Sequence, residues 1–520
     1  MTASNRYTVT VAIIVALGGF LMGFDASVIS GVVGFIETEF ALTKIQLGWS
    51  VASLTLTATM AMMLAGPLSD RVGRRPVLMA AALLFAVSAV WSALAPNFIS
   101  LVLARMLGGF GVGAALIIAP MYIAEIAPPE KRGRMVSFNQ LNIVLGISIA
   151  FFSNYLILRF AQSGVAWADA LGLVDSPWRW MLGVETLPAI VYFLALFLVP
   201  ESPRWLAMRG RRDEALSVFS KAADAETAEA NLAAVERSIA DADQASKVPL
   251  RELFAPAMRL VMTIGISVAI LQQITGINSV FFYAPMIFEQ SGVGTDASFM
   301  QAVLVGIVNL VFTIVAMALI DRLGRRPLLG VGLAGIAGCM FLLSYGFGSA
   351  SYTLAADVEL PAGIERQSLS QVYDVEFGSD VEFRDAVTAA IGESAFKEIE
   401  AQLVSAAIDL NASLILVGIL GFVASFAISL GPVMWVLFSE LFPNRLRGLA
   451  ISFAGLINSG VSFGVQLLFP WELENLGNSM TFLIYGSFAL VGLIVLLRIL
   501  PETRGRSLEE LEDLLVREKT

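Results

Sequence analysis

Three ionisable residues, Asp25, Arg105 and Glu185, stand inside long runs of otherwise apolar residues. A charge in such a run is costly, and it marks a functional site by default. The chain contains no histidine, so proton chemistry must fall to carboxylates. At about 1.5 Å of rise per residue, Asp25 lies roughly 12 Å from the outer end of its helix. Arg105 and Glu185 each lie roughly 10 Å into theirs, so all three can share one level. That level permits an Asp25–Arg105 pair. Protonating Asp25 would release Arg105, and an acid that alternates between pairing and neutrality is a coupling switch. A permanent structural salt bridge is the alternative.

A second set consists of amides within apolar runs: Gln140, Gln272, Gln273, Asn278 and Asn309, with Trp435 nearby in type and setting. Amides donate and accept at once, and an aromatic face suits a ring carrying C–H groups. Together they can hold a neutral, hydroxyl-rich ligand. Amides in spans also fasten helices to one another, and both readings stand on the residues alone.

A third set is ionic and repeated. Asp70-Arg-Val-Gly-Arg-Arg-Pro76 matches Asp321-Arg-Leu-Gly-Arg-Arg-Pro327, and Glu125 with Arg132 matches Glu440 with Arg447. Gly73 and Gly324 fit the tight turn such loops need. Glu125, Glu201, Glu440 and Glu502 fall near the same helix ends and can pair with the arginines. Breakable ion pairs suit bundles that hold together in one state and part in another.

The elements that carry these sets are long apolar helices. Of 520 residues, 57% are hydrophobic, above the ~45–50% of soluble proteins. Runs long enough to span a bilayer fall at about 8–33, 47–68, 77–95, 98–122, 136–158, 178–199, 260–289, 298–320, 327–349, 412–440, 447–470 and 479–500. They are too long for barrel strands. The first is too long for a signal peptide and lacks a following cleavage site. Of the 33 Lys and Arg, 26 lie in the termini and the loops after even-numbered helices, which predicts cytoplasmic termini in a multi-pass cell (inner) membrane protein.

The ionic motifs show that the second half repeats the first. Their offset grows from 251 to 315 residues, which places an insert between the ninth and tenth helices. That insert, about 351–410, holds 12 Asp and Glu against 3 Lys and Arg. It reads as a solvated acidic loop outside the membrane, partly disordered. The expected organisation is an amino-terminal six-helix bundle (1–200), cytoplasmic linker helices (201–258) and a carboxy-terminal six-helix bundle (259–520). The fold class is therefore an all-α membrane protein of twelve transmembrane helices, and paired halves fit an alternating-access carrier.

Other classes fit poorly. There is no nucleophile–base set and no phosphate-binding loop, so no enzyme is expected. The single Cys339 excludes a thiolate metal cluster and an internal disulfide. No cofactor, metal or nucleic-acid partner is expected. The lipid bilayer is the expected environment, and the functional unit a monomer.

Five motifs resemble the sugar porter family of the major facilitator superfamily, and within it the bacterial proton-coupled symporters. They are Gly66-Pro-Leu-Ser-Asp-Arg-Val-Gly-Arg-Arg75, Pro200-Glu-Ser-Pro-Arg-Trp-Leu206, Gln272-Gln-Ile-Thr-Gly-Ile-Asn278, Gly431-Pro-Val-Met-Trp435 and Pro501-Glu-Thr-Arg504. They occur in the family's order over nearly the whole chain. The resemblance implies a small neutral sugar and a proton as partners. It implies sugar contacts by Gln140, Gln272, Gln273, Asn278, Asn309 and Trp435, and proton coupling by Asp25, Arg105 and Glu185. It implies gating by Phe282 and Tyr283, and a bend at Gly431-Pro432. The implied cytoplasmic charge network is Asp70, Arg71, Arg74, Arg75, Glu125, Arg132, Glu201, Arg204, Asp321, Arg322, Arg325, Arg326, Glu440, Arg447 and Glu502. Facilitative carriers of this kind usually have asparagine where Asp25 stands. Ile147 is shared with those glucose carriers, whereas Ala427 is the small residue of bacterial symporters. A hexose such as glucose or galactose is expected first and a pentose such as xylose second. A facilitative uniporter and an inositol-type polyol symporter are the alternatives.

Overall fold

Apolar side chains at nearly every turn make helices that are hydrophobic on most faces. The computed structural model describes residues 3–127, 132–222, 224–244, 249–358, 366–392, 395–396, 399, 403–404, 406–443, 445–504 and 510–511, apart from the side chains of 3–5, 132–134, 241–244 and 321. Eleven described helical segments are long and apolar enough to cross a membrane. The last, Arg447–Ile499, has 53 residues and covers both final expected spans. Its chain leaves helical geometry at Gly477, where φ is 75°.

The chain divides into two compact units. The first comprises 1–28, 53–150 and 179–249, and the second 29–52, 151–178 and 250–520. In the first unit, the helix Phe98–Ile126 starts at Asn97, whose side chain accepts from the Ser100 amide at 2.9 Å. This cap satisfies one of the free donors of the first turn. Gly109 and Gly113 of that helix face carbonyls of Lys44–Val72, and a methyl group at either would overlap Leu54 or Ala58. Small residues four apart let two backbones approach closely. The linker helices Pro203–Met208, Arg212–Ala222 and Ala225–Gln244 bury Leu206, Val218, Phe219 and Leu232 in the same core as Ile126 and Val199.

In the second unit, two long helices are broken. Gly276, at φ 88°, separates Arg259–Ile274 from Ile277–Glu289. The tenth expected span divides into Ala412–Ile428 and Leu430–Leu441 at Ser429, with φ −127° and ψ −98°. The bend thus lies ahead of Gly431-Pro432 rather than at it. Pro432 falls in the first turn of the new helix, where a missing donor costs nothing.

The acidic insert departs most from the sequence reading. Its described residues fold around Tyr352, Leu354, Leu369, Val372, Phe383, Val387 and Leu403. Strands β1 (Ser351–Thr353), β2 (Glu376–Phe377) and β3 (Ile408–Asp409) form an antiparallel sheet in the order β2-β1-β3. Tyr352 stacks on Phe383 at 5.7 Å. A solvated, partly disordered loop is not what these residues make. Their strands are too short to leave a period, and the charge excess hides the apolar core. The fold class stands, with this small sheet added to an otherwise helical chain.

Candidate functional site

Asp25 sits near the end of the helix Ala3–Val28, and Arg105 two turns into Phe98–Ile126. Glu185 lies in the break between Pro177–Gly183 and Thr186–Ala195. All three belong to the first unit, and they are 1%, 1% and 3% exposed. Arg105 Nη1 ion-pairs with the Asp25 carboxylate and also donates to the Asp25 carbonyl at 3.0 Å. Glu185 stands within electrostatic reach of both. Asp25 Oδ2, Arg105 Nε and Glu185 Oε1 have no hydrogen-bond partner. Unsatisfied buried polar atoms are rare and call for a reason. Here two carboxylate oxygens each have room for a proton without breaking an existing bond.

The amides form a second cluster, in the second unit. The break at Gly276 folds Asn278 back beside the preceding helix, and its Nδ2 donates to Gln273 Oε1 at 2.8 Å. Gln273 Nε2 donates to Gln272 Oε1 at 3.1 Å and to Asn458 Oδ1 at 3.3 Å. Asn458 returns a bond to Gln272 Oε1 at 2.7 Å. Gln272 Nε2 also holds the Leu430 carbonyl at 3.2 Å, just past the break at Ser429. Asn309 is buried in its helix. Trp435 is 46% exposed, with its ring edge-on to Phe438 at 5.9 Å. Gln140 is exposed and belongs to the first unit. Phe282 and Tyr283 are buried. Tyr283 breaks its helix two residues before Pro285, and its hydroxyl donates to the Gln466 carbonyl at 3.1 Å.

The repeated ionic motifs adopt the same geometry twice, once in each unit. Arg74 grips Glu125 with Nε and Nη2, both at 3.1 Å. Arg325 grips Glu440 in the same way, at 3.1 and 2.7 Å. Such two-point pairs fix orientation as well as charge. Glu201 and Glu502 act differently from expectation, because they accept backbone amides rather than guanidinium groups. Glu201 takes the Arg74 amide at 3.0 Å and that of Arg75 at 3.3 Å. Glu502 takes those of Arg325 and Arg326 at 3.0 and 3.1 Å. Each carboxylate thereby caps the positive end of a helix dipole. Burial lifts the Glu201 carboxyl above the ordinary range, against the pull of the Ser202, Arg75 and Arg74 amides. Desolvation also pushes Glu502 upward, but the amides of Arg504, Arg325, Arg326 and Thr503 outweigh it and hold that carboxyl low.

The remaining arginines of the network are placed differently. Arg75 donates to the Leu196 carbonyl at 3.0 Å, and Arg326 to that of Leu497 at 2.6 Å. Asp70 joins Arg74 at 2.9 Å. Arg204 reaches Ser238 of the linker at 3.5 Å, and Arg447 donates to the Phe442 carbonyl at 3.2 Å rather than to Glu440. Arg71 and Arg322 are exposed. The side chains of Arg132 and Asp321 lie outside the described residues.

The family profile described as "Sugar (and other) transporter" matches residues 11–357 and 388–515. The chain is 34% identical over 514 residues to the arabinose-proton symporter of Bacillus subtilis (strain 168), covering 99% of this chain and 96% of that one. It is 33% identical over 543 residues to the D-xylose-proton symporter of Escherichia coli (strain K12), covering 98% and 96%. The solved inward open conformation of the xylose transporter from E. coli matches with a TM-score of 0.75 at 31% identity, over 98% of this chain and 100% of that one. The chain belongs to the sugar porter family of the major facilitator superfamily.

In this sugar porter several polar residues complete clusters that the sequence reading left incomplete. Asn458, Ser462 and Gln466 recur every fourth residue along one helix. Ser462 accepts from Asn278 Nδ2 at 2.8 Å and from Gln466 Nε2 at 2.7 Å. That spacing is a polar stripe on one helix face and was visible in the sequence. Ser202 donates to Glu125, and Thr503 donates to Glu440 at 2.7 Å. Both follow a glutamate of the Pro-Glu motif, so the sugar porter's repeat extends to these hydroxyls. The gap in the family match, 358–387, falls inside the acidic insert.

Proposed function

We propose that the protein carries a monosaccharide across the cell (inner) membrane together with a proton, by alternating access. The observation that carries this reading is the buried Asp25–Arg105 pair beside Glu185, with an unpartnered oxygen on each carboxylate. A proton arriving from outside neutralises one acid and loosens Arg105. The amides Gln272, Gln273, Asn278 and Asn309, with Trp435, bind the sugar's hydroxyls and ring face. Phe282 and Tyr283 close over it from outside, and the break ahead of Pro432 lets the inner half of that helix move. The arginine–glutamate grips of Arg74 and Arg325, each within one unit, fix the inner helix ends of that unit in one state and part in the other. Both termini are cytoplasmic, and the two repeats, 1–200 and 259–520, work as one monomer.

The similarity to arabinose-proton and D-xylose-proton symporters supports a sugar and a proton as the cargo. A hexose comes first and a pentose second, from Ile147 and Ala427. A uniporter shares every feature except the charged pair. The test is uptake of a panel of labelled hexoses, pentoses and inositol by reconstituted protein, with and without a pH gradient. Accumulation only under an inward proton gradient is expected. Uptake indifferent to the gradient would assign a uniporter, and preference for inositol a polyol symporter.

A further inference from the structure

The folded insert roofs a cavity that the central site does not use. Its volume is about 260 Å³, close to the ~300 Å³ at which small-molecule pockets begin. All its lining residues belong to the second unit. The helices and their ends contribute Glu37, Lys44, Glu289, Gln290 and Phe299, and the insert contributes Arg384 and Val404.

The insert is held firmly enough to shape that wall. Asp380, in the first turn of Asp380–Ile391, accepts from the Asn478 amide at 3.3 Å and from Asn478 Nδ2 at 2.9 Å. This ties the helix to the bend at Gly477. Arg384 follows four residues on, hence on the same face. At the other end of the insert, Ile408 packs against Gly292, whose φ is 83°.

The lining chemistry narrows the ligand. Two acids, Glu37 and Glu289, and two bases, Lys44 and Arg384, share the lining. Glu37 and Lys44 are already joined at 2.6 Å. A wall that carries both signs is not built around an anion or a cation alone. Gln290 is only 9% exposed, and its Oε1 has no hydrogen-bond partner. A buried acceptor left empty costs free energy that a ligand hydroxyl would recover. Phe299 adds an aromatic side chain to the same lining.

We infer that this cavity is a second binding site for a neutral monosaccharide, at the outer end of the helices and built jointly with the insert. The inference rests on the sugar-transport reading and deepens it. On binding, the Gln290 amide turns into the cavity, a sugar hydroxyl donates to its Oε1, and the C–H face lies toward Phe299. The site gathers sugar ahead of the central amides.

Equilibrium dialysis of purified full-length protein with labelled D-xylose and D-glucose tests it, alongside uptake of the same sugars. Two equivalents per chain are expected. Gln290→Leu and the cavity-filling Val404→Trp should each remove one, or weaken it by about fivefold or more. Gln273→Leu should remove the other. With Gln290→Leu, uptake should show a raised KM at unchanged maximal rate. A single equivalent in wild-type protein that transports normally overturns the outer site and leaves the transport reading intact. Two equivalents untouched by both cavity variants overturn it as well. Absence of uptake and binding for both sugars removes the transport reading and this inference together.

Discussion

Arg105 donates through one nitrogen to both the side chain and the backbone carbonyl of Asp25. The guanidinium is therefore held even when the carboxylate is neutral, and protonation weakens the grip without dismissing the partner. The proposed coupling would then proceed with the two helices still joined through the backbone carbonyl.

Replacing Asp25 with Asn keeps the shape and removes the titration. Accumulation of sugar against a gradient should fall by at least tenfold, roughly the loss of one charge-assisted bond at ~1.5–3 kcal/mol. Counterflow exchange down a gradient should persist. Concentrative uptake at the wild-type level would refute the coupling role.

Gln273 joins three amides at once. Gln273→Leu leaves Asn458 Oδ1 without its donor and takes one acceptor from Asn278. Each buried group left unsatisfied costs about 1–3 kcal/mol. Sugar affinity measured by calorimetry should drop tenfold or more, with uptake falling in parallel.

Gly276 is required by backbone geometry. Its φ of 88° is a left-handed conformation, and a methyl group there would also strike the Tyr485 ring. The conformational cost of Gly276→Ala alone is about 1–2 kcal/mol. Thermal unfolding in detergent should shift to lower temperature, and sugar binding should weaken because Asn278 moves with the break.

Glu201 and Glu502 occupy matching places yet titrate in opposite directions. The Glu201 carboxyl is raised when folded, so its contribution is present below the usual value near 4.5 and is lost as pH rises through the folded value. Glu502 is lowered, so its contribution is present above that value and is lost as pH falls through the folded one. Relative to wild type, Glu201→Gln should gain stability as pH rises from about 4.5, and Glu502→Gln should lose it as pH rises toward about 4.5 and stay level above. Melting temperatures between acid and neutral pH would expose the crossing trend. Parallel shifts of both variants would contradict it.

Legibility in the sequence followed the physics of each element. The long helices were evident because lipid demands uninterrupted apolar runs. The Asp25–Arg105 pair was evident because a charge in such a run needs an explanation, and depth alone set the two level. The grips of Arg74 and Arg325 were evident from the repeat. The roles of Glu201 and Glu502 were not, since a carboxylate that caps backbone amides has no partner side chain to read. The bend falls at Ser429, three residues before the Pro432 that suggested it. Asn458, Ser462 and Gln466 were missed because no motif named them, although their spacing put them on one face. The insert's core was hidden because it is gathered from one helix, turns and two- and three-residue strands scattered among acids.

In the insert, Ser351 pairs with Asp409 across the sheet. The first and last strands of this excursion are thus neighbours, and the flanking helices emerge side by side. A short turn from one to the other could replace everything between without moving either helix. The insert is in effect a cassette, open to grafting between relatives. Its exchange would alter how the transporter meets its surroundings while the machinery in the bilayer kept running.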